Sequence, residues 1–72
     1  MSILDLTTIE CPWNIIKTKQ AMDKLSKGDK LLIKAGGDES FILDCQVYVN
    51  RAGHKLLSNW RTADSICCLL QK

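Results

Sequence analysis

The sequence contains a single histidine and a single proline in 72 residues. One histidine, and no Cys-x-x-C spacing among four cysteines, leave no zinc-type ligand set. Cys67 and Cys68 are adjacent on a stretch that reads as a strand. Neighbours on a strand point to opposite faces, so the pair cannot readily close on one ion, and no metal is expected. The chain also lacks any basic cluster. Ten Lys or Arg stand against eight Asp or Glu, a net charge of +2, and they are scattered. That is too mild for a nucleic-acid or membrane footprint. No apolar run approaches a membrane span. The opening Met1-Ser2-Ile3-Leu4-Asp5 has no basic leader and carries an acid at position 5, unlike a signal peptide. A cytoplasmic location is expected, and with it free thiols rather than a disulfide framework. No cofactor is expected.

What is present is an ordinary globular balance, 46% hydrophobic and 25% charged. The length predicts one domain, residues 1–72, with a thin core. Residues 3–6 read as a strand with Leu4 and Leu6 on one face. Pro12 suits the first position of a helix, which is expected to run to about Leu25. Ile15, Thr18, Met22 and Leu25 form its apolar stripe with Ala21 beside them, while Lys17, Gln20 and Lys24 face water. Gly28 is free to take positive φ in the turn that follows. Residues 30–35 read as a second strand, with Leu31 and Ile33 on one face and Leu32 on the other. Asp38 or Ser40 can cap a second helix over 41–52, with Phe41, Cys45, Tyr48 and Ala52 on its stripe and Gly53 as its stop. Residues 54–60 and 65–71 read as two further strands.

The order β-α-β-α-β-β predicts an α+β fold, a two-layer α/β sandwich with two helices on one face of a four-stranded mixed sheet. If Ile66, Cys68 and Leu70 point inward, Cys67 and Leu69 point outward and are joined there by Leu32. That outer face is unusually apolar, which marks a contact surface.

Leu4-Asp5-Leu6, Cys11-Pro12, Lys17-Thr18-Lys19 and the Gly53-His54 step into a Leu-Leu strand together resemble the TusA-like (SirA-like) sulfur-carrier family, and Asp44 and Tyr48 stand at positions where that family places an acid and an aromatic. The resemblance implies a sulfurtransferase-type relay. In such a relay the cysteine of a Cys-Pro-x-Pro motif accepts sulfur as a persulfide and hands it on. It implies protein partners: a sulfur donor such as a cysteine desulfurase, and a sulfur acceptor. Only Cys11 falls on the motif, and Asn14 stands where the second proline would be, so the motif here is Cys-Pro-x-Asn.

The chemistry agrees. A carrier thiol must ionise near neutral pH and be reachable. A cysteine at a helix start has free amides and the positive dipole end beside it. With Cys11 as N-cap and Pro12 and Trp13 following, Asn14 stands third in the helix. Its N–H is expected to reach the Cys11 thiolate and its side chain to reach back to the Cys11 amide. Trp13, off the buried stripe, reads as a docking aromatic, as do Leu32, Cys67 and Leu69 on the outer face. Cys45 and Cys68 read as core filler, Cys67 as open to oxidation, and His54 as a packing residue. The alternative is a non-catalytic interaction or regulatory domain of the same fold, binding through Trp13 or the outer face.

Overall fold

The computed structural model describes residues 2–10, 13–36 and 39–72. Six elements follow in order: β1 (Ser2–Leu6), α1 (Trp13–Asp23), β2 (Lys30–Ala35), α2 (Ser40–Ala52), β3 (Lys55–Arg61) and β4 (Ile66–Gln71). The sheet runs β1-β2-β4-β3. β1 and β2 are parallel and the other two pairings are antiparallel. A parallel pair needs a crossover connection, and α1 supplies it.

Alternation decides which side of the sheet is wet. Leu6 of β1, Leu31, Ile33 and Ala35 of β2, and Ile66, Cys68 and Leu70 of β4 are buried together. They meet Met22 of α1 and Phe41, Cys45 and Val49 of α2 in one cluster. Both helices therefore lie on one face of the sheet, and the fold is the α+β two-layer sandwich expected. Burying each Leu, Ile or Phe stabilises by about 1.5–3 kcal/mol.

The helix stripes differ in detail from the sequence pattern. On α1 the buried residues are Asn14, Thr18 and Met22, with Ala21 and Leu25 partly buried beside them. Ile15, expected on the buried stripe, is only half-buried. It lies about 100° round the helix from Asn14, on the flank towards α2. The helix also ends at Asp23, not Leu25. Lys24 and Leu25 donate to Ala21 and Met22 three residues back, which tightens the last turn. The Lys72 ammonium then closes the helix end, donating to the carbonyls of Asp23 and Leu25. On α2 the buried line is Phe41, Cys45 and Val49. Tyr48 is half-buried, and Ala52, the last helical residue, is exposed.

The caps differ too. Asp38 lies outside the described residues, and Ser40 is the first helical residue. The N-cap is Glu39, with no side-chain cap bond. Its carboxylate instead lies 3.5 Å from Arg61 on β3. Gly28 and Gly53 take positive φ as expected, +92° and +78°. β3 begins at Lys55, one residue later than the pattern suggested, and β4 begins at Ile66. Ser65 is buried in the β3–β4 turn, where its hydroxyl and N–H both meet the Thr62 hydroxyl.

Candidate functional site

Cys11 and Pro12 lie outside the described residues, so the site is built from what leads into them and out of them. β1 ends in an Asx turn. The Asp5 carboxylate accepts the Thr7 N–H at 2.9 Å and the Thr7 hydroxyl at 2.7 Å. Those two hydrogen bonds, with Lys34 opposite on β2, hold the Asp5 carboxyl below its usual range. The Ile9 N–H then turns the chain back to the Leu6 carbonyl at 3.0 Å.

This loop is braced by its neighbour. A Cβ on Gly36, just after β2, would stand 2.9 Å from the Thr7 carbonyl oxygen. Only glycine lets the two backbones approach so closely. Gly36 thus holds the strand-to-helix segment against the sheet, and no sequence motif marked it.

The contacts expected between Asn14 and Cys11 lie outside the described residues, and Asn14 is described by its other partners. Its N–H donates to the Glu10 carbonyl at 3.1 Å, so that hydrogen is already committed to the helix. Its side-chain oxygen accepts the Ile15 N–H at 2.7 Å. The Asn14 carbonyl accepts the Thr18 hydroxyl at 3.0 Å. Asn14 is 7% exposed. The cause is its place on the buried line of α1, where a polar side chain must find a backbone partner. Trp13, one residue earlier, stands out in solvent at 61% exposure, in a first turn that carries no acid.

The remaining thiols sit elsewhere. Cys45 and Cys68 are fully buried, on α2 and β4 respectively. Their thiols hydrogen-bond each other, and that contact together with burial pushes the Cys45 thiol up. Cys67 corrects an expectation: it is on the outer sheet face but only 7% exposed. It is a short side chain on an inner strand, directly between Lys34 of β2 and Trp60 of β3. Larger neighbours on both sides leave a thiol little access.

The proposed docking residues fall on two surfaces. Leu32 and Leu69 are direct cross-strand partners, with Cys67 two residues from Leu69 on the same face. Trp13 belongs to the helix layer instead. Between α1 and α2 lies a groove of about 550 Å³ lined by Ile15, Lys19, Asp44, Val47, Tyr48 and Arg51. The Lys19 ammonium lies 5.7 Å from the centre of the Tyr48 ring. His54 meets that ring edge-on at 5.6 Å, which is the packing role expected of it. Burial, then Asp23 and Cys45, raise the Tyr48 phenol. Asp44 and Tyr48, separated by one helical turn in sequence, thus share one groove. Among the described residues no group of three or more His, Cys, Asp or Glu could hold a metal ion. Among them too, no helix is long and apolar enough to cross a membrane.

The sequence model of the family described as sulfurtransferase TusA matches residues 2–72. The chain belongs to the TusA family. The match takes in Cys11, Pro12, Trp13 and Asn14, so the TusA-type segment is continuous with the sheet and helices described above. The TusA match carries a sulfur-carrier role for the chain at the level of the family. No curated protein and no solved structure matches significantly.

Proposed function

We propose that this protein is a cytoplasmic, SirA-like sulfur carrier that accepts sulfur as a persulfide on Cys11 and relays it to a partner protein. The Cys11 thiolate attacks the outer sulfur of a donor persulfide. A new S–S bond forms on Cys11, the donor's S–S bond breaks, and the donor cysteine leaves as a thiolate. The reverse geometry at an acceptor thiolate passes the sulfur on. No oxidant is consumed in either step. Pro12 and Trp13 frame the thiol in this reading, with Trp13 offering an exposed aromatic to whichever protein approaches. The domain acts as one unit over residues 1–72.

The observation that carries the proposal is the state of the other cysteines. Cys45, Cys67 and Cys68 are all buried, within a chain whose family match spans Cys11. A relay needs a thiol that two proteins can reach. The test is intact-mass analysis after incubation with a cysteine desulfurase and L-cysteine. A gain of one sulfur, about 32 Da as a reversible thiol cap, is expected in the native protein and absent in Cys11→Ser. Sulfur that remains on Cys67 or Cys68 in that variant overturns the proposal.

A second reading, a non-catalytic interaction or regulatory domain, draws on Asn14. That residue replaces the second proline and is committed to Glu10 and Ile15. No mass gain in the native protein would favour it.

A further inference from the structure

Part of the surface of the helix layer is apolar and open. On α2, Leu43 and Val47 are 61% and 53% exposed. They stand one helical turn apart and share a face. Half-buried Tyr48 continues that face into the groove towards α1. The charges around it are balanced. Asp44 and Arg51 line the groove from α2, and Lys19 lines it from α1. Asp23 of α1 is near enough to raise the Tyr48 phenol. None of these four side chains has an ion-pair partner among the described residues. Asp44 and Arg51 are seven residues apart, two helical turns or about 10.5 Å along one side of α2. Their midpoint falls between Val47 and Tyr48.

We propose that this face pairs with a second copy of the chain, α2 lying antiparallel to its mate across a two-fold axis over Val47 and Tyr48. Such an interface is isologous, so every contact occurs twice. Asp44 meets the partner's Arg51, Val47 meets the partner's Tyr48, and Leu43 meets the partner's Ala52. Charge complementarity selects this occupant. An acid and a base set equally far from the centre are exchanged by the two-fold, which puts each base on an acid. Nucleic acid and anionic membranes need a net positive face, and here two acids offset two bases. The apolar centre carries the attraction, because exposed ion pairs alone contribute little. A stable interface takes about 800 Å² from each partner, about a sixth of this chain's 4601 Å² and more than one helix face offers. The dimer is therefore weak and set by concentration. The pairing does not depend on the relay chemistry.

The experiment is sedimentation equilibrium of the full chain from about 1 µM to about 1 mM, the span over which weak association shows. The native protein should move from monomer towards dimer. Asp44→Arg and Arg51→Asp each create two like-charged pairs across the two-fold, and each should weaken association tenfold or more. Asp44→Arg/Arg51→Asp reverses both signs, restores the match and should recover the native constant to within about threefold. Val47→Glu, at an exposed position that the core does not need, should leave a monomer. Amide chemical shifts of the native protein on dilution give a readout free of any substitution. Their changes should concentrate on residues 43–52 and on Ile15, Lys19 and Asp23. A native protein that stays monomeric at every concentration overturns the proposal and leaves this face to a different molecule. So does a dimer that neither single reversal weakens, or one that the double reversal fails to rescue, since the interface then lies elsewhere.

Discussion

Asn14 and Asp5 flank the proposed sulfur site, and each has a definite job in the backbone. The N–H of Asn14 closes the turn to Glu10 and its side-chain oxygen takes the Ile15 N–H. Proline at 14 removes both bonds and brings its ring towards the Glu10 carbonyl four residues back. Asn14→Pro is therefore expected to lower stability by about 1–3 kcal/mol, read from urea unfolding. Because the Asn14 N–H is donated to Glu10, the substitution is expected to take no donor from the thiol. Titration of Cys11 should give the same pKa in Asn14→Pro as in the native protein. A clear rise in the variant would show that Asn14 serves the thiolate after all.

Asp5 brings a pH dependence. Its carboxyl is held below the ordinary value of 3.8, first by the Thr7 amide and hydroxyl. A lowered folded-state pKa means that the unfolded chain takes up the proton first as pH falls. The stability from Asp5 is thus fully present above about pH 4 and is lost as pH drops through the lower folded value. Asp5→Asn should flatten the acid limb of the stability–pH curve below about pH 4 and leave its shape near neutrality unchanged. An acid limb as steep as that of the native protein would refute this.

At the scale of elements, the two loops at the C-terminal ends of the parallel strands are packed on each other. Gly36 carries that contact, since a Cβ there would meet the Thr7 carbonyl at 2.9 Å. The obstacle is backbone, so a methyl group cannot be accommodated by a rotamer change. Gly36→Ala should cost about 1–3 kcal/mol, the usual penalty of overpacking, and should slow persulfide loading of Cys11 by displacing the β1–α1 segment. Guanidinium unfolding and the mass-shift assay together check this. Gly53→Ala offers a comparison: its Cβ meets nothing within 4 Å, and only its φ of +78° is strained. It should cost stability, by about 1–2 kcal/mol, without touching the loading rate.

For the whole molecule, the decisive property is that three of four thiols are shut away by one core and one sheet. Brief treatment of the native protein with iodoacetamide should alkylate Cys11 alone. Cys45, Cys67 and Cys68 should react only after denaturation, as peptide mapping would reveal. Rapid native labelling of Cys67 would mean that Lys34 and Trp60 do not cover it. The open face of the sheet is also a whole-molecule feature, because it combines residues from all four strands.

Much of this fold was legible locally. The period-2 runs at Leu31 and Ile33 and at Ile66, Cys68 and Leu70 point one face inward whatever surrounds them. Gly53 stops α2, and Gly28 turns the chain towards β2, for backbone reasons that operate in any context. The family motif at Cys11 was legible as well, since it is a matter of residue type and spacing. What needed tertiary structure was anything decided by a neighbour distant in sequence. Ile15 and Asn14 stand about 100° apart on one helix, and only the way α1 settles on the sheet decides which of them is buried. Ile15 has the greater hydrophobicity, yet Asn14 is inside, with its side-chain oxygen satisfied by the Ile15 N–H. Cys67 has the parity of an exposed residue and the burial of a core one, because the register sets it between Lys34 and Trp60. Gly36 looked like any loop glycine until the Thr7 carbonyl was found against it. A side chain's own chemistry sets its element and its face; its access to solvent is set by what the register and the helix packing place beside it.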